Sequence, residues 1–401
     1  MKVLISGAGI AGPTLAYWLA RYGFEPTIVE KAPRLRTGGY IIDFWGAGFE
    51  IAERMDLLPE ITRRGYTIQE LRVVDSSGRR VAGFPTNAIS EVMGGRFVSL
   101  PRGDLAATIF CKIERTVETI FGDSVSRIEQ DERRVRVTFE RGAEREFDLV
   151  IGADGLRSRV REIVFDAEQR FEKYLGYMVA GFQSDGYRPR DELVYLMFTE
   201  LGQQVMRFSM RDDRTMFLFT FADCEPRGTS ANDLELQKAL LRARFGKSGW
   251  ECPQILDQLD STCDLYFDRV SQIRMDAEPG LWTRGRVTLL GDAASCVSLL
   301  AGQGSALAMV AAYFLAGELH RADGDYAKAF ASYQALFAPF VRQKQEAALR
   351  FRVLFGPKSK AAMFIRNQVM NLVRFPWIAR AAFSRDLVDK ITLPEYSGSR
   401  P

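Results

Sequence analysis

The first thirty residues constrain the fold more than any other part of this chain. Residues 2–6 (KVLIS) form an apolar run typical of a buried strand, and residues 7–12 (GAGIAG) follow it directly. Apolar side chains then recur at helical spacing as far as Tyr22, and residues 26–30 (PTIVE) indicate a second strand. This order of strand, glycine turn, helix and strand predicts a βαβ unit of a parallel sheet.

The glycine spacing indicates a dinucleotide site. In such a turn the first glycine allows the tight bend, the second lets a pyrophosphate approach the backbone, and the third lets the helix pack on the strand. Glu30 ends the second strand, where it can accept a hydrogen bond from a ribose 2′-OH and repel a 2′-phosphate. FAD or NAD is therefore favoured over NADP, and a glycine turn that binds nothing is the alternative. The predicted contacts are Gly7, Gly9, Ile10, Ala11 and Gly12.

Two further motifs repeat the pattern of a strand that ends at a carboxylate. Residues 147–155 (FDLVIGADG) place Asp154 at such a turn, and residues 286–294 (RVTLLGDAA) place Asp292 directly after Gly291. The Asp292 carboxylate can accept hydrogen bonds from a polyol such as ribityl. A helix begins shortly afterwards, and its first amides are expected to face an anionic or electron-rich ring edge. The residues of this turn are Gly302, Gln303 and Gly304.

In this order the three motifs resemble those of the group A flavoprotein monooxygenases, and the resemblance runs to about residue 345. Stretches such as KAPRLRTGGYIID, FDRVSQIRM and GLWTRGRVTLLGDAA are closest to the tetracycline destructases and to FAD monooxygenases of antibiotic pathways. The resemblance implies a tightly held, non-covalent FAD, NADPH or NADH as transient reductant, and O2 as co-substrate. It also implies oxygen transfer, through a C4a-hydroperoxyflavin, to an electron-rich aromatic or polycyclic small molecule in secondary metabolism or antibiotic inactivation.

The resemblance also assigns residues outside the three motifs. It places Arg102 against the ribityl and phosphate portion of FAD, although a surface arginine at a helix start is the alternative. It lets the segment that contains Lys31 and Arg36 contact the flavin or NADPH, whereas a solvated face is the alternative for its arginines. The paired glycines of that segment, Gly38 and Gly39, are expected to line the flavin.

Leu299 departs from the family pattern, because the family commonly carries proline there. Leucine keeps the backbone carbonyl that, with the backbone of Gly302, would lie near the flavin, but it gains an N–H and loses the fixed φ. A looser loop is the expected consequence. No side chain is assigned as a general acid or base. Two alternatives therefore stay open, a flavin oxidoreductase that inserts no oxygen (an oxidase, cyclase or reductase) and a catalytically silent flavin-binding protein.

The predicted fold is α/β, with a Rossmann-like FAD-binding domain, an inserted antiparallel-sheet substrate domain and a C-terminal helical region. The FAD-binding domain is assigned to residues 1–72, 97–172 and 276–325, and the substrate domain to residues 73–96 and 173–275. Residues 326–401 form helices that are expected to brace the two domains, with membrane-surface binding as the alternative. Four aromatic side chains are expected to line the substrate pocket, and a purely structural core is their alternative: Phe182, Phe217, Phe219 and Phe221.

Composition excludes several other functions. The formal net charge of +3 gives no support to nucleic-acid binding, and no apolar run reaches the ~20 residues of a membrane span. The five cysteines are scattered and there is one histidine, so neither a metal site nor a His-based triad is expected. Unpaired cysteines favour a reducing cytoplasm. The expected partner is a small-molecule substrate, and the chain is expected to be a monomer or weak homodimer.

Overall fold

The computed structural model describes residues 1–36, 38–167, 170–223, 233–262, 264–276, 281–299, 302–355, 357, 359–383, 389 and 391–396. Cys224 and Cys263 lie outside the described residues, and Cys111, Cys252 and Cys296 are free thiols.

The chain alternates strands and helices in its first half and is helical at its end. Its first elements are β1 (Lys2–Ser6), α1 (Ala11–Arg21), β2 (Glu25–Glu30), β3 (Ile41–Trp45), α2 (Ala47–Arg54), α3 (Leu58–Arg64), β4 (Glu70–Val74), β5 (Arg80–Pro85), α4 (Asn87–Val92), β6 (Phe97–Pro101) and α5 (Arg102–Phe110). Next come β7 (Glu118–Phe121), β8 (Val125–Gln130), β9 (Val135–Phe139), β10 (Glu144–Phe147), β11 (Leu149–Gly152), α6 (Arg159–Val164), β12 (Glu172–Asp185), β13 (Val194–Glu200), β14 (Gln203–Ser209) and β15 (Arg214–Ala222). The last are α7 (Leu234–Phe245), α8 (Cys252–Asp257), β16 (Tyr266–Ile273), β17 (Thr283–Arg284), β18 (Val287–Leu289), α9 (Asp292–Ser295), α10 (Gly304–Arg321), α11 (Tyr326–Phe355), α12 (Lys360–Leu372) and α13 (Pro376–Phe383).

A six-stranded sheet, in the order β17-β18-β11-β1-β2-β7, forms the first layer. The central strands β18, β11, β1 and β2 are parallel, with Ser6 opposite Gly152 and Gly152 opposite Leu289. Because parallel strands end at the same edge, the turns that follow β1, β11 and β18 meet there. The three predicted motifs are those turns.

Helix α10 forms the centre of the main core. It is buried from Ala306 to Leu319, which is typical of an apolar helix enclosed on all sides. Helix α1 packs along it, and α2 approaches so closely that a Cβ on Gly48 would lie 2.5 Å from the Cα of Ala306. These contacts fix the N-terminus of α10 beside the sheet edge.

A second sheet of seven strands has the order β16-β12-β15-β14-β13-β4-β5. It is antiparallel except where β4 joins β13 in parallel. The antiparallel sheet predicted for the inserted domain contains β12 to β16, and the α/β fold class is confirmed. Strand β4 begins at Glu70, ahead of the predicted boundary at residue 73, and the domain division stays a prediction.

The C-terminal region returns to the main core. Helix α11 packs on α10, where the rings of Phe314 and Phe337 are 6.1 Å apart. The end of the chain follows α10, since the Tyr396 hydroxyl donates to Glu318 Oε1 at 2.7 Å and Tyr313 donates to the Pro394 carbonyl at 2.7 Å. Of the helices that the structure describes, none combines the length and apolarity needed to cross a bilayer.

Candidate functional site

The three glycines of the first turn differ in what a side chain at each position would contact. Gly7 has φ +109°, and a Cβ on Gly12 would lie 2.0 Å from the Gly7 carbonyl oxygen, so packing requires both glycines. A Cβ on Gly9 would meet, within the described part of the chain, only Arg102 Nη2, at 3.7 Å. Packing therefore leaves the glycine at position 9 unexplained. A ligand that approaches the backbone explains it, and this space fits a pyrophosphate.

The N-terminus of α1 is suited to an anion. Ile10 is its N-cap residue, and among the described residues no side chain caps this end and no acid lies in the first turn. The first N–H groups of a helix need partners and carry partial positive charge. Together with the Arg102 guanidinium near Gly9, they form a place where phosphate oxygens can bind.

Glu30 bonds the glycine turn itself. Its Oε2 accepts from the Ala8 amide at 2.9 Å, and its Oε1 accepts from the Ala32 amide at 2.9 Å. The carboxylate thus holds the turn against the end of β2. Each oxygen keeps a second lone pair, on which the predicted bond to a ribose hydroxyl depends.

Asp154 builds the start of α6. The Ser158 hydroxyl donates to Asp154 Oδ1 at 2.5 Å, and the Val160 amide donates to Oδ2 at 3.1 Å. Burial raises the pKa of the Asp154 carboxyl, and these hydrogen bonds lower it in part. The local role of Asp154 is therefore to order the turn after β11, and its contact with a cofactor stays a prediction.

Arg161, which sequence reasoning missed, joins the second motif to the third. This fully buried side chain donates from Nη1 to the Ala293 carbonyl at 2.9 Å and from Nη2 to the Leu156 carbonyl at 2.6 Å. Arginine is rarely buried in this way unless hydrogen bonds satisfy it. The two turns are consequently held in a fixed relation.

Asp292 lies between the helices α1 and α10. Gly291 touches α1, because a Cβ there would be 3.1 Å from the Ala11 Cβ, and a Cβ on Gly304 would be 3.9 Å from Asp292 Oδ1. Burial raises the pKa of the Asp292 carboxyl, whereas the Arg102 charge and a hydrogen bond from Cys296 lower it. The structure thus brings the third motif next to the first.

Two buried glutamines hold the backbone that leads to Leu299. Gln272 Nε2 donates to the Val297 carbonyl at 3.2 Å, and Gln345 Nε2 donates to the Cys296 carbonyl at 3.1 Å. These bonds restrain a segment in which Ser298 has φ +92°. The looser loop expected from the missing proline stays a prediction.

The carbonyl of Leu299 points back to the start of α10. It accepts from the Gly302 amide at 2.9 Å, and Gly302, with φ +65°, lies so close to Trp45 that a Cβ would be 3.2 Å from Cη2 of the ring. The Leu299 side chain is half-buried and packs beside Tyr177 and Val179 of the seven-stranded sheet. Leu299 and Gly302 thus lie between the edge of the six-stranded sheet and the seven-stranded sheet.

A carboxylate from the end of the chain also reaches this place. Asp389 accepts from the Ala47 amide at the start of α2 at 2.8 Å and from Gln303 Nε2 at 3.3 Å. Lys344 Nζ lies 2.6 Å from Asp389 Oδ1, and both side chains are buried. The Asp389 carboxylate therefore lies at the N-termini of both α2 and α10. No local pattern in the sequence indicated this contact.

The segment before β3 divides into two parts. Lys31 and Arg36 are exposed, and their contact with the flavin or NADPH stays a prediction. Gly39 lies beside Arg102, since a Cβ on it would be 3.7 Å from the Arg102 Cβ, and its carbonyl accepts from Gln183 Nε2 at 3.3 Å. Gly38 faces Asp264 instead, where a Cβ would lie 2.4 Å from Oδ2.

The expected aromatic pocket requires a correction. The four phenylalanines are at most 5% exposed and lie in a closed cluster with α7 and α8, where the rings of Phe219 and Phe245 are 4.9 Å apart. Leu218 lies on the opposite face of β15 from Phe217, Phe219 and Phe221, and it packs in the cluster that contains Leu299. The stripe is core because the helices cover that face. The corrected residues are Phe182, Phe217, Phe219 and Phe221.

The face on the Leu299 side carries buried polar groups that sequence reasoning missed. Asp43 accepts from the Ser99 hydroxyl at 2.5 Å and from the Tyr195 hydroxyl at 3.2 Å, and burial raises its pKa. The rings of Tyr40 and Tyr266 are 5.1 Å apart, and burial raises the pKa of Tyr40 to about 12. Burial also raises the pKa of Tyr266. The phenols of Tyr40 and Tyr266 are therefore protonated at neutral pH and can donate a hydrogen bond.

This geometry defines a dinucleotide-binding flavoprotein. Within the described residues, no group of three or more His, Cys, Asp or Glu side chains could hold a metal ion. Residues 1–343 match the family described as FAD binding domain.

Solved and curated relatives agree with this class. A flavin-dependent monooxygenase from an unknown prokaryotic organism is 37% identical over 353 residues, which cover 86% of this chain and 87% of the relative. A flavin-dependent monooxygenase of Legionella longbeachae is 33% identical and covers 100% of this chain and 99% of its own. The crystal structure of tetracycline destructase Tet(51) is 32% identical and has a TM-score of 0.81, with 98% of this chain and 99% of that chain covered. The chain belongs to the FAD-binding-domain family and is an FAD-dependent group A flavoprotein monooxygenase, which confirms the resemblance seen in the sequence.

Exchanging the second or third glycine of the turn for alanine separates cofactor binding from folding. Gly12→Ala should lower the free energy of unfolding by about 3 kcal/mol or more, because its Cβ overlaps the Gly7 carbonyl. Gly9→Ala should leave the apoprotein's unfolding free energy nearly unchanged and yet weaken FAD binding. Urea unfolding of the apoproteins and FAD titration measure both, and equal destabilisation by the two variants would contradict this account of the turn.

Asp292→Asn tests the buried carboxylate. The pKa of this carboxyl is raised in the folded protein. Its contribution to stability is therefore present at pH values below the ordinary carboxyl pKa, and it is lost as the pH rises through the raised pKa of the folded state. The asparagine apoprotein should therefore be at least as stable as wild type at pH 7, with a difference that narrows towards pH ~4. FAD affinity should fall by about 10- to 100-fold, the effect of losing a hydrogen bond to a charged group.

Unfolding at both pH values and FAD fluorescence titration give the two readouts for this variant. Unchanged FAD affinity would remove Asp292 from the cofactor contacts.

Proposed function

We propose that this protein is an NADPH-consuming FAD monooxygenase that inserts one oxygen atom into an electron-rich, aromatic or polycyclic small molecule. The observation that carries the proposal is Gly9, a glycine that packing does not require, next to the open N-terminus of α1 and the Arg102 guanidinium. The full-length likeness to flavin-dependent monooxygenases supports the reaction class. The likeness to a tetracycline destructase supports a polycyclic phenolic substrate.

The residues of the sheet edge would hold the cofactor by its polar parts. The amides of the first turn and Arg102 would bind the pyrophosphate, Glu30 a ribose hydroxyl, and Asp292 the ribityl chain. The backbone around Leu299 and Gly302 would contact the ring. When bound and reduced by NADPH, FAD supplies the activation of O2 and the transfer of one oxygen atom.

The seven-stranded sheet would orient the substrate. Leu218 and Tyr266, which are partly exposed, lie on the face that packs towards Leu299, next to the buried Tyr177 and Val179. Apolar side chains there exclude water and bind a flat ring system, and the protonated Tyr266 hydroxyl can donate to a substrate oxygen. The paired Asp43 and Tyr195 side chains would keep β3 attached to the sheet.

Isotope labelling tests the proposal. The purified protein should be yellow, and a polycyclic phenol that it accepts should accelerate NADPH oxidation and gain one 18O atom from 18O2 for each product molecule. The Asp292→Asn protein, low in FAD, is the control preparation. A product without 18O would assign the chain to flavin oxidoreductases that insert no oxygen. Slow NADPH use that no substrate of a broad panel accelerates would indicate a silent flavin-binding protein.

Neighbouring residues on opposite faces of β15 test the substrate face. Leu218→Phe adds bulk on the Leu299 side and should raise KM by about 10-fold or more, with little change in unfolding free energy. Phe219→Leu alters only the closed cluster, so it should lower the unfolding free energy by about 1–2 kcal/mol and leave KM unchanged. Steady-state kinetics and urea unfolding of both variants measure this, and a KM effect confined to Phe219→Leu would reverse the assignment.

A further inference from the structure

Helix α12 turns its polar side towards the protein. Arg366 is 5% exposed, donates from Nη1 to Thr199 Oγ1 at 3.3 Å and from Nη2 to Asn367 Oδ1 at 2.9 Å. One turn further on, Asn371 Oδ1 accepts from the Gly83 amide at 3.2 Å. The helix is therefore attached to the outer part of the seven-stranded sheet by these hydrogen bonds and by apolar packing of Met370 on the clusters that contain Phe84 and Val73.

The opposite side of α12 is apolar and faces solvent. Phe364 is 65% exposed and Ile365 is 62% exposed, with Val369 at 47% and Leu372 at 46%. At 100° per residue these four side chains fall within an arc of about 140°. A surface helix of a globular protein normally has the reverse arrangement, with its apolar stripe on the core.

The exposed apolar surface continues into α13. Phe375 is 38% exposed and the indole of Trp377 is 72% exposed. Single exposed apolar side chains are ordinary, but a contiguous group of this size marks a binding surface. The α12 patch comprises Phe364, Ile365, Val369, Leu372, Phe375 and Trp377.

The segment that carries the α12 patch has charged residues of one sign. Residues 347–385 contain eight Lys and Arg residues and no Asp or Glu, although the whole chain has a net charge of only +3. Lys360, Arg374 and Arg380 are exposed beside the apolar side chains. The Arg374 guanidinium lies 4.8 Å from the centre of the Phe375 ring, so charge and apolar surface are directly adjacent.

This combination selects among the surfaces that could cover the patch. A second copy of the chain, docked through the same patch, would bring two strongly basic regions together and bury like charges. An anionic bilayer has the opposite charge above an apolar interior. Lys and Arg can extend to the phosphates while aromatic and aliphatic side chains enter the boundary of the acyl chains, where Trp is favoured.

We propose that the α12 patch binds the surface of an anionic lipid bilayer, with α12 lying in the plane of the membrane. Because α12 packs on β5, this contact would hold the seven-stranded sheet against the bilayer. The proposal concerns a surface outside the flavin site and does not depend on which substrate the enzyme oxidises.

Vesicle sedimentation of the FAD-loaded protein tests this. The protein should sediment with vesicles of phosphatidylcholine and phosphatidylserine, less with phosphatidylcholine alone, and less as salt is added. The triple variant Phe364→Ser, Ile365→Ser and Val369→Ser should lower the partition coefficient on the order of 100-fold. The control is Leu236→Ser, an apolar residue 39% exposed on α7, which should bind like wild type.

Two further variants keep the test independent of any folding defect. Arg374→Glu with Arg380→Glu leaves the apolar side chains in place and should remove the preference for phosphatidylserine. Trp377→Phe should abolish the blue shift of tryptophan fluorescence that vesicles cause in wild type. Flavin absorbance shows whether each variant retains its fold.

Three results would overturn the proposal. The first is no sedimentation of wild type with phosphatidylserine vesicles at low salt, and the second is equal binding by the triple variant and by Leu236→Ser. The third is a wild-type dimer in solution that the triple variant abolishes while vesicles bind neither, which would assign the patch to a second copy of the chain.

Discussion

The shared edge of the parallel strands β1, β11 and β18 is the constraint on which the site depends. Each strand ends in a turn, and the pairing registers bring all three turns to one place although they lie about 140 residues apart in sequence. The close packing of α1 on the first turn is possible only because Gly12 lacks a side chain, and a Cβ on Gly7 would lie 2.5 Å from the Ala153 carbonyl oxygen in the turn after β11. The cofactor site therefore follows from sheet topology, and its chemistry from the few side chains that the turns carry.

Opposite charges meet at this edge, where no group of three or more His, Cys, Asp or Glu side chains among the described residues could hold a metal ion. The open end of α1 and Arg102 favour an anion, while Asp292 is buried and would otherwise be costly to ionise. The N-terminus of α10 differs from that of α1, because Asp389 and Lys344 form a buried ion pair next to Gln303. The C-terminal region thus contributes a charged pair to the same part of the molecule as the N-terminal turn.

The sequence was sufficient to predict those features of the fold that local steric contacts determine. The positive φ of Gly7 and the contact of Gly12 with the Gly7 carbonyl are local, so the glycine pattern could be predicted, as could the α/β class, whereas the contact of Gly7 with Ala153 is not local. Contacts such as Arg161 with Ala293, or Ala47 with Asp389, join residues 132 and 342 positions apart, and no periodicity signals them. The phenylalanine stripe failed for another reason: both faces of β15 are apolar, and the covering helices decide which one is core.

The C-terminal region shows why composition alone left its role open. A basic amphipathic pattern predicts a helix with one apolar side, but it does not say whether that side meets the protein. In α12 the inward side includes Arg366 and Asn371, which hydrogen-bond to the sheet, together with the apolar Met370. The apolar side is left outward, whereas residues 391–396 pack on α10. If the proposal holds, surface binding belongs to α12 and α13, whereas residues 391–396 pack on the core, so the two alternatives need not exclude each other.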